Sequence, residues 1–174
     1  SSPAYGVYTR QTRELTVQVC EEIHKLGSHV KNLAAIPVYG GAPIDRQIRY
    51  LRQGSHIVVG TPGRLMDHME RRTLDMSKIR MIILDEADRM LDMGFHDDIK
   101  KIIDKTPSSR QSLLFSATYS ESIKKISKSI QSNPVDIRVE DSFRCADVDE
   151  VFILVESHER TETLFKVVPF YLAH

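Results

Sequence analysis

Tryptophan is absent from this 174-residue chain, and cysteine occurs only twice, at Cys20 and Cys145. Two cysteines so far apart have neither metal-ligand spacing nor the density of a disulfide framework, a usage that suits a reducing compartment. Long apolar runs are missing: none approaches the roughly 20 residues that span a bilayer. Residues 1–6 lack the charged-then-apolar pattern of a signal peptide. A cytoplasmic domain with no membrane partner is the expectation. Neither sign of charge dominates, since 24 Lys and Arg balance 24 Asp and Glu. Bulk attraction to nucleic acid or membrane is thereby excluded, while a local basic strip is not. The seven histidines form no metal-binding pair of the HExxH kind, and none is assigned to metal or catalysis. No lysine follows a glycine, and the eight glycines never take the GxxxxGKS/T spacing that cradles nucleotide phosphates.

What is present is an ordinary globular composition, with 41% hydrophobic and 28% charged residues. A chain of this length makes one domain and buries roughly 70% of its unfolded surface without staples. Short apolar runs alternate with amphipathic stretches. Ile57-Val58-Val59, Met81-Ile82-Ile83-Leu84 and Leu113-Leu114-Phe115 are continuous, as expected of strands covered on both faces. Between them, Thr12 can cap a helix whose Leu15, Val19, Ile23 and Leu26 share a face, with Gly27 as its stop. Pro43 suits a first helical turn, followed by Ile44, Ile48 and Leu51 and ended by Gly54. Pro62 opens a helix with Leu65, Met66 and Met69 inward, and Thr118 with Glu121 reads as a capping box ahead of Ile123, Ile126 and Ile130. Strand and helix alternating at this spacing predict a mainly parallel α/β sheet. Ala4 to Arg10 is a poor lead-in to the first helix. Residues 140–150 hold five acids and read as a solvated connection; residues 151–155 then look like a strand and 159–173 like a helix, the opening of a second domain.

The sharpest feature is Ile82-Ile83-Leu84-Asp85-Glu86-Ala87-Asp88. An apolar strand delivers two adjacent carboxylates at its C-terminal end, where open parallel sheets hold their ligands. Alternation sends the two acids in different directions, so one can hold a hydrated magnesium ion while the other orients an attacking water. Alone, such acids can equally cap the next helix and face solvent. They are not alone. Gly40-Gly41, Thr61-Pro62-Gly63-Arg64, Asp85-Glu86-Ala87-Asp88 and Ser116-Ala117-Thr118 follow in order, each at an expected strand-to-helix junction, with Thr12-Arg13-Glu14-Leu15 ahead of them. In this ordered set the chain resembles the DEAD-box ATP-dependent RNA helicases, specifically their first RecA-like domain, from about Thr12 to Val139. Arg89-Met90-Leu91-Asp92-Met93-Gly94-Phe95 and Asn133-Pro134 extend the likeness.

The resemblance implies a RecA-like α/β fold of the P-loop NTPase type, incomplete at its N-terminus, with ATP and magnesium as cofactors of the intact parent. It implies that Asp85 binds the magnesium through water, that Glu86 activates the hydrolytic water, and that Asp88 exchanges hydrogen bonds with Ser116 and Thr118. It implies that Arg13, Gly41, Thr61, Pro62, Gly63 and Arg64 touch the backbone of one RNA strand. Elementary chemistry makes those contacts plausible: helix N-termini present free N–H groups to phosphates, Arg13 and Arg64 sit in first turns, and a Gly-Gly turn admits a close backbone. Such contacts carry no sequence information. Tyr5, Tyr8 and Tyr39 are read as packing residues. The pattern departs at Gln11, where the family has proline, and in the missing phosphate loop, which would lie upstream of Ser1 as the second domain's arginine motifs would lie downstream of His174. Residues 1–139 are accordingly expected to be a partial first RecA-like domain, 140–150 an acidic linker and 151–174 the start of a second. The chain alone is expected to be ATPase-inactive and to self-associate through an exposed sheet edge and its C-terminal helix. The alternative is a non-enzymatic RNA-binding or protein-interaction module that kept the fold and lost the nucleotide site.

Overall fold

The computed structural model describes residues 4–139; the expected linker, final strand and final helix, and Cys145, lie outside the described residues. Within them a compact unit closes at Pro134. Its elements alternate as β1 (Gly6–Thr9), α1 (Arg13–Leu26), β2 (Ala35–Val38), α2 (Ile44–Gln53), β3 (Ile57–Gly60), α3 (Pro62–Glu70), β4 (Met81–Leu84), α4 (Ala87–Asp92), α5 (His96–Asp104), β5 (Gln111–Leu114) and α6 (Glu121–Ile130). The strands form one sheet in the order β2-β3-β1-β4-β5, and every adjacent pair is parallel. The parallel α/β expectation is met.

Two strands escaped the sequence reading. β1 spells Gly-Val-Tyr-Thr, too short and mixed to stand out, yet it is the central strand, paired with β3 on one side and β4 on the other. β2 spells Ala-Ile-Pro-Val; a proline argues against an interior strand, and β2 is accordingly at an edge, with only β3 as neighbour.

Alternation along the strands divides the core. Val7, Val58, Ile82 and Leu84 face a large cluster with Leu51, Leu65, Met90, Ile99, Ile102 and Ile126. Val59 and Ala35 face the other way, where Cys20, Val19 and Ile23 of α1 pack against them. Burial pushes the Cys20 thiol up to about 12, so it is a packing residue without nucleophilic character. The expectation that the apolar runs are covered on both faces holds for β3 and fails toward β5. Met81 is 36% and Phe115 52% exposed, and β5 ends at Leu114 rather than including Phe115.

Three helix details differ from expectation. Thr12 does cap α1, its side chain accepting from the Leu15 N–H, and Gly27 does stop it. However, the buried line is Thr16 and Cys20, and Leu26 is 84% exposed. A helix of 14 residues is about 21 Å long against four-residue strands of about 13 Å, so its last turn overhangs the sheet. Pro43 is the N-cap of α2, one position before the first turn. Ser120, not Thr118, caps α6, its hydroxyl oxygen accepting from the Ile123 N–H. The Thr118 N–H is committed elsewhere, to Asp88.

Candidate functional site

Leaving β1, the chain turns toward β2; leaving β4, it turns toward β5 on the opposite side. The carboxyl ends of these two neighbouring strands therefore flank the switch point where open parallel sheets form a crevice. Register pairs Thr9 with Leu84, which brings the residues that follow, Arg10 and Gln11, against Asp85 and Glu86. Arg10 Nη1 lies 3.3 Å from Asp85 Oδ2 and 3.1 Å from Glu86 Oε1. The Tyr8 hydroxyl donates to Asp85 Oδ2, and Gln11 Nε2 donates to Glu86 Oε2 at 2.5 Å. Burial, with the Asp85 carboxylate beside it, pushes the Tyr8 phenol up to about 12, so it stays protonated and donating. Glu86 takes the left-handed conformation at φ 50, which costs a non-glycine residue about 1–2 kcal/mol. Its N–H donates to Asp85 Oδ1 at 2.8 Å. The two acids are thus held by donors from the strand next door, a constellation of Tyr8, Arg10 and Gln11 that no single motif announced.

Beside them, in the first turn of α4, Asp88 Oδ2 accepts from the Thr118 N–H at 3.2 Å. Ser116 Oγ is buried with no hydrogen-bond partner. Of the expected link among Asp88, Ser116 and Thr118, the structure contains the Asp88–Thr118 contact, made through backbone rather than hydroxyl.

A cavity of about 390 Å³ is lined by Gln11, Arg13, Gly40, Thr61, Gly63, Arg64 and Phe95. The ends of β1, β2 and β3 converge here. Pro62 is buried at the first position of α3, and Thr61 is its N-cap. Gly41 adopts φ 77, a turn that its lack of Cβ permits. The Arg13 guanidinium lies 5.1 Å from the Tyr39 ring centroid, a cation–π contact. Gln11 belongs to both assemblies, lining the cavity and holding Glu86.

Behind the cavity is a buried polar group that the sequence reading did not single out. His68 and Gln47 are 0% and 5% exposed. His68 Nε2 lies 2.9 Å from Gln47 Oε1 and its Nδ1 2.8 Å from Thr73 Oγ1. The visible signals were His68 three residues after the core residue Leu65, and Gln47 four before Leu51. Burial holds the His68 ring below the usual histidine value of 6.5, with the Arg64 charge acting the same way. The unfolded chain then binds the extra proton, so the stability from a neutral His68 is present above about pH 6.5 and is lost as pH falls toward the lower folded value. Urea midpoints measured from about pH 7 to about pH 5 are expected to fall, and to fall less in His68→Gln.

The family model described as DEAD/DEAH box helicase matches residues 2–126. A DEAD-box ATP-dependent RNA helicase CshA of Bacillus licheniformis is 41% identical over 158 residues, covering 90% of this chain and 32% of the relative. An ATP-dependent RNA helicase CshA of Listeria monocytogenes is 44% identical, covering 90% and 30%. Among solved structures, a DEAD box protein from Methanococcus jannaschii superposes with a TM-score of 0.77 at 36% identity, over 97% of this chain and 45% of that one. A hypothetical ATP-dependent RNA helicase from Sulfolobus tokodaii gives a TM-score of 0.70 at 42% identity, over 75% and 39%. The chain thus spans about a third of the length of the curated relatives it matches.

Proposed function

This chain belongs to the DEAD/DEAH box helicase family, and on that premise we propose that it is the nucleic-acid-contacting and acid-bearing part of an ATP-dependent RNA helicase, in which RNA-stimulated ATP hydrolysis drives local strand separation. The observation that carries the reading is Gln11: it lines the cavity of Arg13, Gly40, Thr61, Gly63 and Arg64 while bonding Glu86, so a backbone seated in the cavity is one side chain from the acids.

In this assignment Arg13, Gly41 and the turn Thr61, Pro62, Gly63, Arg64 grip RNA phosphates and sugars without reading bases. Glu86 orients the attacking water, and Asp88, bonded to the Thr118 N–H, carries movement between the acids and the segment after β5, with Ser116 Oγ free to join on rearrangement. One carboxylate suffices for a hydrated magnesium ion, whose other ligands are waters and phosphates. Asp85 fits that role, provided Arg10 yields the oxygen it shares; among the described residues no cluster of three or more His, Cys, Asp or Glu could hold a metal unaided. Magnesium at this place supplies charge neutralisation on the phosphates. The division into 1–139, 140–150 and 151–174, with the rest of a second RecA-like domain as partner, is part of the proposal. So is a cytoplasmic location; no described helix is long and apolar enough to cross a membrane.

The test uses the 174-residue chain itself. It is expected to bind single-stranded RNA weakly, without sequence preference and with steep salt dependence, and not to turn over ATP, because phosphoryl transfer rests on positioning groups this chain does not carry. Light scattering on the same samples is expected to show self-association, promoted by the outer edge of β5 and by exposed Met81 and Phe115. RNA-stimulated turnover that Glu86→Gln abolishes would overturn the division of labour.

A further inference from the structure

Arg64 is useful as a phosphate contact only if its guanidinium is held at the cavity rather than swung into solvent. Its side chain is 14% exposed. Nη1 donates to Ala42 O at 3.1 Å and to Gln47 Oε1 at 3.3 Å. Gln47 is itself fixed. Its Nε2 donates to Tyr39 O at 3.0 Å, and its Oε1 receives both Arg64 and His68 Nε2. Reversing the amide would aim an NH₂ at the Arg64 guanidinium, which can only donate, and an oxygen at the Tyr39 carbonyl, so only one orientation satisfies the group. Because Gln47 Oε1 can only accept, His68 must carry its proton on Nε2. The single Thr73 hydroxyl proton has two acceptors in reach, His68 Nδ1 at 2.8 Å and His68 O at 3.1 Å. His68 O already accepts from the Thr73 and Leu74 N–H groups, so Nδ1 of the neutral ring takes it.

We propose that His68 and Gln47 are positioning residues for RNA binding: the buried His68–Gln47 pair holds the Arg64 guanidinium and the Tyr39–Ala42 turn, which carries Gly40 and Gly41, as one preset phosphate-gripping unit. The inference rests on the reading of the cavity as an RNA-backbone site. Three elements meet in the pair. Gln47 comes from α2, His68 and Arg64 from α3, and the turn from the end of β2. The backbone bond between the Thr61 N–H and Val38 O stops one residue short of the turn, and the Arg64 and Gln47 side chains hold Ala42 O and Tyr39 O. A buried network in which every member is satisfied has one arrangement, so the grip is built before the ligand arrives and binding need not order it. The pair touches no ligand itself. Its effect passes through Arg64 and the glycine turn.

The experiment measures fluorescence anisotropy of a labelled single-stranded oligouridylate against the whole chain over a range of salt. Arg64→Met is expected to weaken binding about tenfold, as loss of a charge-assisted hydrogen bond does, and to flatten the salt slope by about 0.7, one single-strand phosphate. His68→Gln places an amide N–H where Nε2 stood and is expected to bind as the unaltered chain does. His68→Asn reaches only toward Thr73, leaves Gln47 Oε1 short of a donor, and is expected to reproduce most of the Arg64→Met loss in both affinity and slope. A merely structural role would give Gln and Asn similar effects and leave the slope unchanged in the folded protein. If thermal melting shows His68→Asn unfolded at the assay temperature, Gln47→Met, which fills the space without an acceptor, takes its place with the same expected loss. Unchanged affinity and slope in the folded Asn or Met variant, with Arg64→Met impaired, overturns the positioning role alone. A silent Arg64→Met overturns the RNA-backbone reading, and the positioning role with it.

Discussion

Replacing Arg10 with methionine is expected to raise the affinity of this chain for a divalent cation about thirtyfold. The guanidinium sits within 3.3 Å of one carboxylate and 3.1 Å of the other, in the crevice between the ends of β1 and β4. Unit charges about 4 Å apart near a protein surface attract by roughly 4 kcal/mol. The side chains concerned are 16%, 20% and 39% exposed, so solvent screening removes about half of that. A cation that must displace Arg10 therefore forgoes about 2 kcal/mol, or about thirtyfold. Methionine keeps the apolar stem and removes the charge. Manganese serves as the probe, because free and bound ion are separated by electron paramagnetic resonance. Arg10→Lys keeps the charge and is expected to stay near the unaltered affinity. Adding Asp85→Asn to Arg10→Met is expected to cancel the gain, which assigns the bound ion to this carboxylate. Equal manganese affinity in the Arg10→Met variant and the unaltered chain would show that the guanidinium does not compete for the acids.

That contact illustrates where sequence reading stops. Asp85 and Glu86 were legible because an apolar run ended on them, and the run made β4 a buried strand. Arg10 was not, because what opposes it is decided by the β1–β4 register, which joins residues about 75 positions apart and has no local signature. β1 itself lacks the apolar run that marked its neighbours; pairing on both flanks makes it a strand, and its Val7 is buried although Gly6, Tyr8 and Thr9 give little periodic signal. Pro37 hid β2 for the complementary reason: its missing N–H is tolerated only where one side of the strand has no partner. Helix starts fared better, since caps are local chemistry. Thr12 and Pro62 open α1 and α3 as expected. Pro43 sits one position early, as the N-cap of α2, and Thr118 is displaced because Ser120, two residues on, supplies the oxygen that accepts from the Ile123 N–H. His68 and Gln47 were passed over because polar residues are ordinarily solvated, and only the folded chain reveals that both are buried and mutually satisfied.

Gly60→Val is expected to cost about 3 kcal/mol or more of folding stability, and Gly60→Ala about 2 kcal/mol, a large part of the margin of a domain this size. Gly60 ends β3 where α3 folds back across the sheet. A Cβ there would stand 2.6 Å from Leu65 Cγ, 2.7 Å from Val38 Cγ2 and 2.8 Å from Leu65 Cδ2. Neither neighbour can retreat, because Leu65 and Val38 are both 0% exposed within the main core. The glycine is therefore required by close approach of helix to strand, not by an unusual backbone angle. Leu65→Ala vacates the same space at a cost of about 3 kcal/mol on its own, so the double variant Gly60→Ala, Leu65→Ala is expected to lose clearly less than the sum. Urea unfolding of the four proteins reads the cycle, and a Gly60→Ala midpoint equal to that of the unaltered chain would contradict the packing argument. The strain also reaches the site. Gly60 O accepts the Arg10 N–H at 3.0 Å, and Thr61 O, one residue on, accepts from the Arg64 and Leu65 N–H groups. Pushing α3 off the sheet moves Thr61 and Arg64 away from the cavity while disturbing the backbone of Arg10. In the folded fraction of Gly60→Ala, RNA affinity is accordingly expected to fall along with stability. A single missing methyl group thus sets how closely the first turn of α3, with Arg64 and Leu65 on it, lies against the end of β3.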